Sequence, residues 1–256
     1  MRCVRPVVRA LAVLVLVARA GTAQRIGAGA EPWVRADRDT VRRVKPHLTP
    51  VGLGPSDRAT YTAAGAAFVA AIALDHPARD NILATRTPFL NRLAPIGNTM
   101  GLAQYTVPTV ATAFVAGNLV GRLTGHPRLA DAATHLALSY VVADVSASIL
   151  RYPVGRQRPS FAGDMDSFHP FGKSDEWQSF PSGHVTHIGA IAAALAEEAR
   201  TPWVTALASA AVTLTAWQRI YADKHWASDV VAGAIVAVAA SRLTSHWFRH
   251  KVPVTG

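Results

Sequence analysis

Cysteine is almost absent from this chain. Cys3 is the only one in 256 residues, which excludes a disulfide scaffold and a thiolate metal site. Cys3 also stands too near the first residue, with no apolar run before it, to serve as a lipoprotein acylation site. Aromatic residues are sparse, at 7%, and no stretch alternates apolar and polar residues over several strands, so the signal of a sheet is missing. No lysine-rich block and no nucleic-acid motif accompany the formal charge of +10. The excess of arginine therefore points to phosphates or an anionic lipid surface, not to DNA or RNA. No group of His, Cys, Asp and Glu has the spacing of a metal site.

What is present is aliphatic. Half of the residues are hydrophobic, mostly alanine and valine, enough to bury a sizeable core. The pattern predicts an all-α protein, a bundle of helices at 60–74, 80–93 (interrupted near Pro88), 106–123, 127–150, 183–200, 202–219 and 227–248. A loop rich in Pro, Gly, Asp and Ser fills 152–180. Residues 1–23 read as a signal peptide: Arg2, Arg5 and Arg9 precede the apolar "ALAVLVLV" of 10–17, and small residues at Ala18 to Ala20 or Gly21 to Ala23 offer a cleavage site. That run is well short of the ~20 residues a bilayer span needs, so cleavage is expected over anchoring. Residues 24–58, broken by Pro32, Pro46, Pro50 and Pro55, read as an irregular N-terminal arm, and 59–248 as the helical domain.

Long uncharged segments and the basic tail "SHWFRHK" speak for a membrane. Asp144 within 127–150 and the Glu197–Glu198 pair speak against it, since charges inside spans are costly. After signal cleavage, six crossings would also leave the basic tail outside, against the positive-inside rule. The expectation is a secreted or periplasmic protein, soluble or membrane-peripheral; an integral membrane protein is the alternative.

Three polar blocks interrupt the aliphatic background. "RYPVGRQRPSF" places Arg151, Arg156 and Arg158 within eight residues. Arginine presents a planar fork of donors to phosphate oxygens, although a solvated basic loop would look the same. "SFPSGH", from Ser179 to His184, can open a helix with Ser182 as N-cap. The free N–H groups and positive dipole end of such a helix start form an anion site, with His184 facing it. In "WQRIYADKHWASD", Arg219 precedes His225 by six residues, and His225 precedes Asp229 by four, which puts the last two on one helix face. Asp229 can then fix the His225 tautomer and leave the other ring nitrogen free to attack. The bland reading is an ordinary i,i+4 pair.

Together the blocks are much more specific than any one of them. They resemble the K-x6-R-P, P-S-G-H and S-R-x5-H-x3-D motifs of the type 2 phosphatidic acid phosphatase family, which bacterial class A acid phosphatases and vanadium haloperoxidases share. Here they read Arg151-x6-Arg158-Pro159, Pro181-Ser182-Gly183-His184 and Gln218-Arg219-x5-His225-x3-Asp229. Arg151 stands where the family has lysine and Gln218 where it has serine. The resemblance covers about residues 60 to 245. It implies a phosphatase acting on phosphate monoesters, lipid phosphates or diphosphates included, through a phosphohistidine. His225 would be the nucleophile, His184 the general acid and base, and Asp229 the residue that orients His225. Arg151, Arg158, Ser182, Gly183 and Arg219 would hold the phosphate. Three guanidiniums imply catalysis without a metal or other cofactor. The alternatives are a vanadate-dependent haloperoxidase, with His225 as the vanadate ligand, an integral-membrane lipid phosphatase, and a non-catalytic helical protein. His187 and His135 are expected to pack, and Asp144 to pair with an active-site arginine or cap a buried polar network. Asp164, Asp166, Lys173 and Asp175 are expected at the site entrance. Trp177, Trp217 and Trp226 are expected as core or rim. The partner implied is a phosphorylated small molecule or lipid, with peripheral membrane contact and no nucleic acid.

Overall fold

The computed structural model describes residues 55–162 and 164–251. The expected signal peptide and nearly all of the expected N-terminal arm lie outside them. The described chain is helical: α1 (Pro55–Ala73), α2 (Asp75–Ala84), α3 (Pro88–Gly101), α4 (Ala103–Leu123), α5 (Pro127–Val154), the one-turn α6 (Pro159–Ala162), α7 (Gly183–Ala199), α8 (Pro202–Tyr221) and α9 (Ala227–Lys251). Among the described residues there is no strand, only an isolated bridge between Arg156 and Phe168. The all-α expectation holds.

Proline marks where helices begin. α1, α3, α5 and α8 each open on one, in the first turn, where a missing N–H costs nothing. The interruption expected near Pro88 divides 80–93 between α2 and α3, because the Thr87 hydroxyl accepts from Leu90 N at 3.2 Å and starts α3 afresh. α1 begins at Pro55, so the last residues assigned to the arm are already helical. α5 runs past 150 to Val154, and Gly155 then turns the chain with φ 55.

The centre of the bundle is a trio of α5, α7 and α9, with α4 packed outside α5, α3 against α8, and α1 against α9. The seam is made of small side chains. Ala143, Ala147, Ala190, Ala237 and Ala240 are all buried, and such contacts let helix backbones approach closely. The outer faces are apolar too. Leu123 is 77% exposed, Val69 67%, Ile149 66%, Trp203 65% and Val115 62%. Two helices, Pro127–Val154 and Ala227–Trp247, are long and apolar enough to cross a membrane.

All three motif blocks fall at one end of this bundle: the last turn of α5, the first turns of α7 and α9, and the last turn of α8. The long loop between α5 and α7 is held by backbone bonds. Gln157 N donates to Ser167 O at 2.9 Å, Arg158 N to Glu176 O at 2.8 Å, and Ser179 N to Arg156 O at 3.0 Å. Arg79 of α2 grips Asp223 through two contacts of 2.6 and 2.9 Å, which fixes the turn that carries His225.

Close approach at Gly101 sets His184. A Cβ there would lie 2.6 Å from His184 Cβ and 2.7 Å from His184 O. Gly101→Ala should lower stability by about 1–3 kcal/mol through overpacking. Gly65 has nothing within 4 Å of its would-be Cβ, so Gly65→Ala on the same helical background should be neutral or stabilising by about 0.5–1 kcal/mol. Thermal unfolding of the two variants side by side checks this.

Candidate active site

His225 lies in the turn between α8 and α9, with only 3% of its surface exposed. Its Nδ1 donates to the backbone carbonyl of Ser179 at 2.7 Å. That bond leaves Nε2 without a proton, and Nε2 accepts from an Arg158 N–H at 3.2 Å. The Nε2 lone pair therefore faces the Arg158 guanidinium. Asp229 was expected to take the Nδ1 hydrogen bond directly. Its Oδ2 is 3.8 Å from Nδ1 instead, because the Ser179 carbonyl occupies the donor direction. Asp229 acts on His225 as a nearby charge and by fixing Ser179, whose hydroxyl donates to Asp229 Oδ2 at 2.5 Å.

Asp229 has no exposure to solvent, and its carboxylate is fully engaged. Besides Ser179, it accepts from Trp226 N at 2.9 Å, as a third helical residue reaching back to cap its own helix start. It also accepts from Arg156 at 2.9 Å. Arg156 thus departs from the first-block expectation of a three-arginine clamp. It is buried and bound to Asp75, Ser228, Asp229 and the Met165 carbonyl.

Arg151, Arg158 and Arg219 remain on the site. Arg158 reaches His225, the Lys224 carbonyl and Asp175, whose carboxylate lies 2.8 Å away. Arg219 donates to Asn98 at 2.7 Å. Arg151 approaches the start of α7 so closely that a Cβ on Gly183 would lie 2.9 Å from it, so the glycine is needed for that contact. Ser182 sits at the N-cap of α7 but makes no side-chain cap bond. Its hydroxyl is left free for another acceptor or donor. Arg151 Nε, Ser182 Oγ, His184 Nε2 and Arg219 Nε are all buried without a hydrogen-bond partner. Buried polar atoms are normally satisfied, and these four are drawn from all three blocks.

The structure brings together every residue named for the site: His184, His225, Asp229, Arg151, Arg158, Ser182, Gly183 and Arg219. Sequence reasoning missed Asn98, Ser179 and Asp75, whose contacts cross 46 to 153 residues. His187 packs as expected. Its ring bonds Gly101 O at 3.0 Å and Asp144 at 2.8 Å, and stacks on Tyr140. Asp144 is thus bonded to a histidine, and its charge also acts on Arg151. His135 is held by Glu198 at 2.7 Å and Ser241 O at 3.1 Å. Asp164, Asp166 and Lys173 are exposed on the loop. Trp226 is fully buried with its indole N–H on Gln157 O, Trp217 packs on Tyr221, and Trp177 packs on His169.

Burial pushes the His225 imidazole down to about 4, and Arg158 and Arg219 push the same way against the opposing pull of Asp229. A lowered value means the ring is neutral, and able to attack, at every pH above about 4. An NMR titration of the His225 ring should show protonation near pH 4; titration near 6.5, the ordinary histidine value, would contradict the buried arrangement.

Comparison with known proteins now adds to the geometry. The family profile described as PAP2 superfamily matches residues 132–253. Lipid A 1-phosphatase of Rhizobium johnstonii is 34% identical over 113 residues, 43% of this chain and 46% of that protein. Its namesake from Rhizobium etli is also 34% identical over 113 residues, covering 48% of that protein. The chain thus spans about half the length of these curated relatives. Among solved structures, the transmembrane PAP2 type phosphatidylglycerolphosphate phosphatase of Bacillus subtilis superposes with a TM-score of 0.57 at 18% identity, over 75% of this chain and 98% of that one. LpxE of Aquifex aeolicus superposes with a TM-score of 0.51 at 19% identity, over 68% and 95%. The family match runs through all three motif blocks, so this part of the chain is similar to the PAP2 superfamily, and the helical fold is shared with both solved structures.

Proposed function

We propose that the protein is a phosphatase that removes a phosphate group from a lipid phosphate through a covalent intermediate on His225. The observation that carries this reading is the set of four buried, unpartnered polar atoms from Arg151, Ser182, His184 and Arg219, gathered beside an unprotonated His225 Nε2. These are the donors that a phosphoryl group requires, preorganised before it arrives.

In the first step His225 Nε2 attacks phosphorus. The new N–P bond forms as the P–O bond to the lipid breaks. Burial and then Arg219 lower the His184 imidazole to about 3; the bound phosphate dianion offsets the arginines, so that His184 takes up a proton and delivers it to the departing oxygen. In the second step His184 takes a proton from water as that water attacks phosphorus. The N–P bond breaks, inorganic phosphate leaves, and His225 returns to its neutral form. The arginines stabilise the charge on the equatorial oxygens throughout. The cationic charge at the site is supplied by arginine, which supports catalysis without a divalent ion.

Lipid substrates are favoured by the names of the relatives and by the outer surface of the bundle. Exposed Leu123, Val115 and Ile149 present apolar flanks. Asp144, Glu197 and Glu198, which argued against a membrane in the sequence, are paired with the largely buried His187 and His135. We therefore favour an integral placement over the soluble or peripheral one, with the site at one membrane face, level with lipid headgroups.

The test is phosphate release from a panel of lipid phosphates and soluble monoesters, with and without chelator. Lipid phosphates should be hydrolysed in detergent, chelator should change the rate little, and His225→Ala should lower kcat by about 10³-fold or more, as for loss of a nucleophile. Halide oxidation with added vanadate in place of phosphate release would overturn the reading. Membranes washed with alkaline carbonate should retain the protein; its release would return the placement to peripheral.

A further inference from the structure

A second carboxylate lies behind the first. Asp75 opens α2, has no solvent exposure, and hydrogen-bonds to Ser228 and Arg156 and not to His225. Its oxygens accept from Ser228 N at 2.7 Å, Ser228 Oγ at 2.8 Å and Arg156 at 2.7 Å. It therefore caps the start of α9 from another helix and holds the far side of Arg156. The near side of Arg156 holds Asp229 at 2.9 Å, and Asp229 lies 3.8 Å from His225 Nδ1. Burial pushes the Asp75 carboxyl up, and Arg156 and Ser228 oppose it. All of its partners are donors, and the Ser228 hydroxyl already accepts from Arg156 at 2.6 Å, an arrangement that suits a carboxylate.

The consequence is a matter of charge. A lone Arg156–Asp229 pair would be neutral. His225 would then have no counter-charge behind it, while Arg158, Arg219 and His184 face it from the phosphate side. With Asp75 on its far side, Arg156 is already balanced, and Asp229 keeps a net negative charge towards the imidazole. The ring becomes positive when Nε2 bonds to phosphorus, so that charge stabilises the step.

We propose that Asp75 is a positioning residue of the phosphoryl-transfer site, acting through Arg156 to set the negative charge that Asp229 presents to His225. This rests on the nucleophilic role of His225 proposed above.

Three variants test it by sign. Asp75→Asn removes negative charge, so the His225 ring should titrate at lower pH and kcat should fall by about tenfold, with KM little changed. Arg156→Gln leaves two carboxylates, so the ring should titrate at higher pH. The double variant Asp75→Asn/Arg156→Gln should return the titration towards wild type and be faster than Asp75→Asn alone. A purely structural role would shift stability without this pattern of opposite signs and rescue. The ring titration by NMR needs no turnover, which separates failure of this proposal from failure of the phosphatase reading. Shifts of the same sign in both single variants, or a double variant no closer to wild type than Asp75→Asn, would overturn it. Should one single variant not fold, the sign of the other decides.

Discussion

Asp229 has no access to water, and a carboxylate in that position must be satisfied by the protein around it. Its partners come from three parts of the chain: Arg156 in the long loop, Ser179 just before α7, and the Trp226 N–H at the start of α9. Each of those parts carries a motif block, so meeting the needs of one buried charge also registers the blocks against each other. Ser179 then hands the constraint on through its carbonyl, which sets the tautomer of His225. Removing one partner of such a group is costlier than the bond itself, because an unpaired charge stays buried.

The backbone of the bundle serves the same end. Small residues let α5, α7 and α9 lie close together, and this brings helix termini of opposite direction to one face. α7 and α9 present N–H groups there, while α5 and α8 bring arginines in their last turns. Anion affinity is thus built from backbone and side chains together. The loop arginine, Arg158, completes the set because backbone bonds at Gln157, Arg158 and Ser179 hold it in place.

The fold class was legible in the sequence from local pattern, and the candidate site residues from three short blocks whose spacing resembles a known family. Helical runs of alanine and valine, prolines at helix starts, and fixed spacings such as His225 to Asp229 are short-range features. What was not legible depends on long-range contact. Arg151, Arg156 and Arg158 look alike in a row, yet only the fold shows that Arg156 turns inward to Asp75, 81 residues away. Asn98 meets Arg219 across 121 residues, and no local signal marks it. The four-residue spacing of His225 and Asp229 suggested a direct bond, whereas the carbonyl of Ser179 takes it. Asp144, Glu197 and Glu198 look like unpaired charges in the sequence, and each has a histidine partner in the fold.

The central claim is that this end of the bundle is built to move a phosphoryl group onto His225 Nε2. Rapid quenching of the enzyme during turnover of a radiolabelled lipid phosphate, followed by peptide mapping, tests it most directly. The account predicts an acid-labile, base-stable phosphate on the peptide that contains His225, absent in His225→Ala. Turnover with no phosphoenzyme under single-turnover conditions, or label on His184 in its place, would contradict it.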